Sequence, residues 1–178
     1  MEALIRVLRP GEAAPLAELL LRANEENLAR FPPDVAQAYR RELLDVAGRG
    51  DGVQTLVSTV DGRLGGTVAF VSDAADDTHP WPTGGSVLRF LAVDPSVRGQ
   101  GLGERLACAV VDLARERGST FLALHTAPAM HAARALYERL GFVRAEDHDF
   151  HPGAHYGAGA APDEAPWGLA YVLDLGPR

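Results

Sequence analysis

Cysteine is nearly missing: the one thiol among 178 residues, Cys108, excludes an intrachain disulfide and makes a reducing, cytoplasmic setting the default expectation. No stretch approaches the roughly 18 apolar residues of a membrane span, and the opening Met1–Arg6 lacks a basic region followed by an apolar one, so neither membrane nor leader is expected. Positive charge is in deficit. Seventeen Lys plus Arg against 24 Asp plus Glu leave a net charge of −7, which argues against nucleic acid as a partner but leaves room for a small basic patch around one phosphorylated cofactor. Hydrophobic residues at 47% and charged residues at 23% exclude a disordered or collagen-like chain. The expectation is one soluble domain over residues 1–178, burying roughly 70% of the surface its unfolded form exposes.

Hydrophobic periodicity gives the element order. Leu4 to Arg9 reads as a strand closed by Pro10-Gly11. Leu16, Leu19, Leu20 and Ala23 then recur at helical spacing, and Pro33-Asp34 opens a second helix with Val35, Ala38, Leu43 and Val46 as its inner face. Val53 to Val60 and Leu64 to Val71 flank Asp61-Gly62, a dipeptide that tolerates the positive φ of a tight hairpin turn. Residues 72–86 read as loop, Val87 to Val93 as a strand, and the segment after the Gly99 to Gly103 cluster as a helix that Gly118 stops, with Cys108 packed inside it. Phe121 to Thr126 is a buried strand and His131 to Leu140 a helix capped by Gly141. Phe142 to Ala145 and Leu169 to Leu175 are extended, with a loop rich in Gly, Pro, Asp and His between them. The fold class expected is α/β (α+β): a single mixed, mostly antiparallel sheet of six to seven strands flanked by four helices.

The segment from Val93 through Gly103 lies between a buried strand and an amphipathic helix. Amides are unpaired at a helix start and carry partial positive charge, so such a turn suits an anion if side chains leave room. Three alternating glycines leave that room, and Arg98 adds a charged donor. A dinucleotide loop would need Gly or Ala where Glu104 stands, and a nucleoside-triphosphate loop would need Gly-Lys followed by Ser or Thr. Neither is present.

The run Arg98-Gly99-Gln100-Gly101-Leu102-Gly103, preceded by Leu91-Ala92-Val93-Asp94-Pro95, resembles the Arg/Gln-x-x-Gly-x-Gly/Ala signature of the GCN5-related N-acetyltransferase (GNAT) family. A second family signature matches Ala133 through Phe142, so the resemblance covers about Val87 to Val143. It implies a GNAT-like acyl-CoA N-acyltransferase fold and an N-acetyltransferase with acetyl-CoA as cosubstrate. Leu91, Ala92, Val93, Arg98, Gly99, Gln100, Gly101, Leu102 and Gly103 would be its cofactor-binding residues. The resemblance also implies that the loop amides hold the pyrophosphate, that Leu91 and Val93 present backbone groups to the pantetheine arm, and that the acceptor enters between the first two helices and the last loop. Asn24 to Asn27 and the stretch from Glu146 to Trp167 would then wall the acceptor site.

Acetyl transfer to an amine needs a neutral nucleophile, a polarised carbonyl and a proton for the departing thiolate. An alkylammonium of pKa about 10.4 costs about 4.6 kcal/mol to deprotonate at neutral pH. Periodicity alone reads Tyr137 as an edge residue of an apolar helix face; the resemblance reads it as the general acid, the one catalytic residue assigned. Two departures from the family stand out. Met130 replaces a frequent Asn, and Arg89 stands where many members carry a Glu, which leaves the base unassigned. His148, His151 and His155 match no metal-ligand spacing, so no metal is expected. Asp73, Asp76 and Asp77 read as surface acids that could steer a cation, and Trp81, Phe150, Tyr156 and Trp167 as candidate pocket walls. The expected partner is an amine, small molecule or peptide, attacked directly in a ternary complex. An acyl-CoA-binding regulatory module without turnover is the alternative, and a homodimer through the final strand or its loop is compatible with the pattern.

Overall fold

The computed structural model describes residues 4–45, 50–79, 81–151 and 168–176. Seven strands form one sheet in the order β1-β2-β3-β4-β5-β7-β6: β1 Leu4–Val7, β2 Val53–Val60, β3 Arg63–Val71, β4 Gly85–Val93, β5 Phe121–Thr126, β6 Val143–Arg144 and β7 Leu169–Asp174. Among the described residues only β4 and β5 run parallel; every other neighbouring pair is antiparallel. The four helices are α1 Ala13–Leu28, α2 Pro33–Leu44, α3 Leu102–Arg117 and α4 His131–Arg139. The expected mixed sheet with four helices is therefore what the chain forms. Val46, placed in the second helix, lies outside the described residues.

The helices divide between the faces. Leu16, Leu19 and Leu20 of α1 and Leu43 of α2 are fully buried against Val57 and Ala92. Leu106, Val110 and Ala114 of α3 pack with Tyr137 of α4 against Leu88, Leu122 and Leu124 on the other face. The apolar repeats in α1 and α3 are thus core stripes, each full burial of a Leu or Val contributing about 1.5–3 kcal/mol. Cys108, expected inside α3, is exposed, because it falls on the helix side turned away from that stripe.

Two departures from the sequence reading, and the short extent of one strand pairing, matter for the site. Residues 72–86 are not all loop: a 3-10 turn at Ala74–Asp76, capped by the Asp73 carboxylate, precedes a β4 that starts at Gly85. β4 is also irregular. Phe90 has φ of 54°, and opposite Thr67 to Ala69 the β4 strand carries one residue more than regular pairing allows. That bulge turns Arg89 and Phe90 toward the same face, the guanidinium carbon 4.6 Å from the Phe90 ring centroid. Finally, the parallel pairing of β4 with β5 ends at Val87 and Ala123.

Gly85 lies where that short pairing begins, and the Phe121 ring occupies the space a Cβ would need. Gly85→Ala should destabilise the fold by about 1–3 kcal/mol through this overlap. The check is a lower urea midpoint with an unchanged denaturant slope.

Candidate active site

Beyond Val87, β4 continues to Val93 and β5 to Thr126 without pairing. The β4 edge facing β5 therefore offers backbone donors and acceptors to any extended group that enters the gap. Leu91 and Val93 are half-buried along this stretch, and Ala92 turns toward α1 and α2. β4 ends at Asp94, whose carboxylate accepts from the Ser96 amide at 3.0 Å, the Ser96 hydroxyl at 2.7 Å and Arg22 of α1 at 2.9 Å. The Ser96 hydroxyl, more than Arg22, holds the Asp94 pKa below the usual carboxylate value against the opposing effect of burial.

The turn after Asp94 has the features of an anion cradle. Gly99 and Gly101 have φ of 78° and 75°, and no atom lies within 4 Å of where a Cβ would stand. Their need for glycine is conformational as well as spatial. Among the described residues no acceptor is recorded for the amides of Gly99 through Glu104, which open the sixteen-residue α3. Gly103 differs: a Cβ there would make ordinary contacts with Val93 and Leu136 at 3.6 and 3.7 Å. Leu102 is buried against Val60, while Gln100 is exposed. The Arg98 guanidinium donates to two backbone carbonyls, Ala23 at 2.9 Å and Val93 at 3.3 Å, so it ties the turn to α1 and the end of β4.

Tyr137 lies on the α3 and α4 face, 5% exposed, with its ring 5.7 Å from Phe142. Burial raises its pKa above the ordinary tyrosine value, and Tyr39 of α2 adds to the shift. Tyr39 belongs to the apolar cluster on the opposite face, which also takes in Phe90. Met130, in the position of the missing Asn, accepts a hydrogen bond from the Thr126 hydroxyl at 3.5 Å.

Across the sheet from Tyr137 the chain gathers groups that the sequence scatters. Arg89 pairs with Glu42 of α2, with Asp77 at 3.1 Å, and donates to the Thr78 hydroxyl. Asp77 is 7% exposed, so it is a buried ion-pair partner rather than the solvated acid expected. A cavity of about 230 Å³ opens beside this group, lined by Glu42, Asp45, Asp76, Asp77, Arg89 and Phe90. A larger cleft of about 590 Å³ runs between α1 and α2 past Arg22, Glu25, Gln37 and Arg40. Glu25 and Glu26 are exposed, but Asn24 is buried and donates to its own helix at Leu20, so it forms no wall.

Trp81 and Phe150 do come together, around His148 and two histidines that sequence reasoning missed, His79 and His125. Trp81 stacks on His148, Phe150 stacks on His79, and His125 of β5 touches Trp81, Phe150 and His79 with ring centroids 4.8, 5.0 and 5.2 Å away. An imidazole within the apolar run Phe121 to Thr126 was the available signal for His125. His155, Tyr156 and Trp167 lie outside the described residues. No group of three or more His, Cys, Asp or Glu side chains suited to a metal occurs among the described residues, and no helix there is long and apolar enough to cross a membrane.

Residues 16–142 match the family model described as the acetyltransferase (GNAT) family. The chain belongs to this family. It is 33% identical over 109 residues to the "Probable N-acetyltransferase camello" of Xenopus tropicalis, covering 59% of this chain and 47% of that protein. It is 37% identical over 68 residues to the "N-alpha-acetyltransferase 30" of Schizosaccharomyces pombe, covering 38% of this chain and 45% of the relative. These alignments thus span about half the length of the curated relatives. Among solved structures, the paia N-acetyltransferase of Thermoplasma acidophilum in complex with coenzyme A superposes with a TM-score of 0.70 at 14% identity, covering 98% of this chain and 99% of that one. A GNAT acetyltransferase of Staphylococcus aureus gives 0.69 at 17%, covering 98% and 99%. At these identities the likeness is one of fold, and it makes the GNAT fold expected from sequence the fold observed.

The glycines of the GNAT turn should separate by conformation. Gly101→Ala should cost about 1–2 kcal/mol, because an L-residue is forced to positive φ there. Gly103→Ala, inside the first turn of α3 and free of clash, should be neutral or stabilising by up to about 1 kcal/mol. Thermal unfolding of the two variants side by side checks the order.

Proposed function

We propose that this protein is an acetyl-CoA-dependent N-acetyltransferase that moves an acetyl group to a primary amine of a small molecule or peptide, by direct attack in a ternary complex, with Tyr137 as general acid. The observation that carries this reading is the end of β4–β5 pairing at Val87, followed down the chain by a turn in which the amides of Gly99 to Glu104 have no recorded acceptor among the described residues; Tyr137 lies on the α3 and α4 face of the same sheet. Open space over Gly99 and Gly101 fits a diphosphate brought against those amides, the N-terminal dipole of α3 favours its charge, and the free edge of β4 fits the pantetheine amides. Bound there, acetyl-CoA supplies the activated acyl carbon.

In this reading Leu91, Ala92 and Val93 orient the cosubstrate through the backbone, and an amide near Val93 polarises the thioester carbonyl. Arg98 holds the cradle's shape through Ala23 and Val93 and adds positive potential beside it. Tyr137 gives its proton to the departing thiolate; its raised pKa keeps it protonated throughout the physiological range. On the other side, the carboxylates around the 230 Å³ cavity attract an ammonium acceptor. The names of the relatives above support an amine as acceptor, and the T. acidophilum complex supports coenzyme A as the carrier. One observation favours the second reading, a binding module without turnover: Arg89, in the place of a frequent Glu, is locked to Glu42 and Asp77.

Acetyl-CoA should raise the melting temperature with the logarithm of its concentration above its Kd. Arg98→Glu should remove that shift. Because this variant also loses two backbone hydrogen bonds, the quantity to read is the shift above its own unliganded baseline. Persistence of the full shift would remove Arg98 from the cradle.

Tyr137→Phe should lower kcat by about 10²-fold or more while keeping the acetyl-CoA shift. Thiol release by the wild type should show no loss attributable to Tyr137 below about pH 10, since its acid form persists past the unperturbed pKa. The chain contains no lysine, so lysine self-acetylation cannot mimic turnover. Background thiol release across a panel of spermidine, phenethylamine, an aminoglycoside and an alanine-initiated hexapeptide would favour the binding module.

A further inference from the structure

We infer that Nδ1 of His125 takes the proton shed by the acceptor amine as its nitrogen bonds to the acyl carbon. This inference rests on the acetyl-transfer reading and supplies the base that reading lacks, because Arg89 stands in the family's usual carboxylate position on β4 and is itself tied to Glu42, Asp77 and Thr78.

Position comes first. The last paired residue of β5 is Ala123, and His125 follows it by one alternation, so its side chain stands at the lip of the gap on the face of Ala123, Val87 and Arg89. Leu124, between them, turns to the Tyr137 face. The proposed base and acid thus lie on opposite faces of the sheet. An amine arriving on the α1 and α2 face meets His125, while the thiolate takes its proton from the side of Tyr137.

Hydrogen bonding fixes which nitrogen is available. Nε2 of His125 lies 2.8 Å from the carbonyl oxygen of His148. A carbonyl only accepts, so Nε2 carries the hydrogen and Nδ1 keeps the lone pair. Among the described residues Nδ1 has no hydrogen-bond partner. Contacts with Trp81, Phe150 and His79 hold the ring plane, which is what a base needs to keep its lone pair aimed.

The charged groups facing the ring are Asp77 from the turn before β4, Arg89 from β4 and Asp149 beside Phe150. The two carboxylates favour the imidazolium and Arg89 opposes it. Burial, the largest influence, also opposes it and carries the net pKa below the ordinary histidine value of 6.5. The ring is therefore neutral and able to accept at neutral pH.

The step balances. The C–N bond forms and the C–S bond breaks, one amine N–H proton passes to Nδ1, and the thiolate takes the Tyr137 proton. His125 then releases its proton to solvent and Tyr137 recovers one, leaving amide and thiol.

The test uses His125→Gln, whose amide can still donate to the His148 carbonyl but is not a base, alongside His125→Phe, which keeps the aromatic packing. Each is assayed for thiol release from acetyl-CoA with the fastest amine of the panel above, as kcat/KM against pH, with the acetyl-CoA thermal shift measured in parallel. The expected wild-type profile rises with pH through an ionisation below 6.5. In both variants that acidic limb should vanish, activity at pH 7 should fall by about 10²-fold or more, activity should recover toward the pKa of the free amine, and the thermal shift should persist. A variant that keeps the wild-type limb with less than about threefold loss overturns the role of His125 and leaves the transferase reading intact. Parallel loss of the thermal shift makes His125 structural and overturns it too. A wild type that binds acetyl-CoA yet acetylates none of the panel overturns both readings together.

Discussion

Phe90 holds a backbone conformation that costs a non-glycine residue about 1–2 kcal/mol, and it does so in the middle of a buried strand. The surrounding packing overcomes that cost: Phe90 is pressed among the leucines of α1 and α2, and Arg89 lies over its ring with carboxylates on its far side. The bulge swings the end of β4 away from the line that pairing with β5 would require. Past Val87 the pairing of the two strands ceases, at the one parallel junction among the described residues. The free backbone edge of β4 depends on that separation.

The turn shows the same economy of parts. Asp94 gathers the Ser96 amide, the Ser96 hydroxyl and Arg22, while Arg98 reaches back to Val93 and across to Ala23. The strand end, the turn and α1 are thereby fixed to one another by polar side chains. The amides that follow are left with helical direction but no acceptor on the protein. A net charge of −7 is no obstacle to anion binding in such a place, because the favourable potential is local, from a helix terminus and two arginines rather than from the whole surface.

Elements built from local periodicity were legible in the sequence almost to the residue. β2 and β5 fall on the expected bounds, and the helix after the glycine cluster does stop at Gly118. So was the conformation of the glycine turn, because positive φ at Gly99 and Gly101 requires a residue type that is visible in the chain. The bulge was not, since nothing in a phenylalanine announces positive φ. Asp77 looked like surface acid because its partner Arg89 is distant in sequence and the burial that pairs them is tertiary. Cys108 looked internal because a mostly small-residue helix face does not say which side meets the sheet. His125 was hidden within a strand that otherwise reads as core, and only assembly shows the ring meeting two loops and the strand gap at once.

Amine acylation moves protons at two atoms, the incoming nitrogen and the outgoing sulfur, and needs a neutral base and a protonated acid at the same pH. In the proposed reaction burial acts on the two groups in opposite senses: the Tyr137 phenol becomes a weaker acid and the His125 imidazole a weaker base, so the phenol is protonated and the imidazole neutral at neutral pH. Their strands and helices keep them on opposite faces of the sheet. The strained residue in β4 and the interrupted parallel ladder are, on this view, structural costs that the rest of the packing offsets.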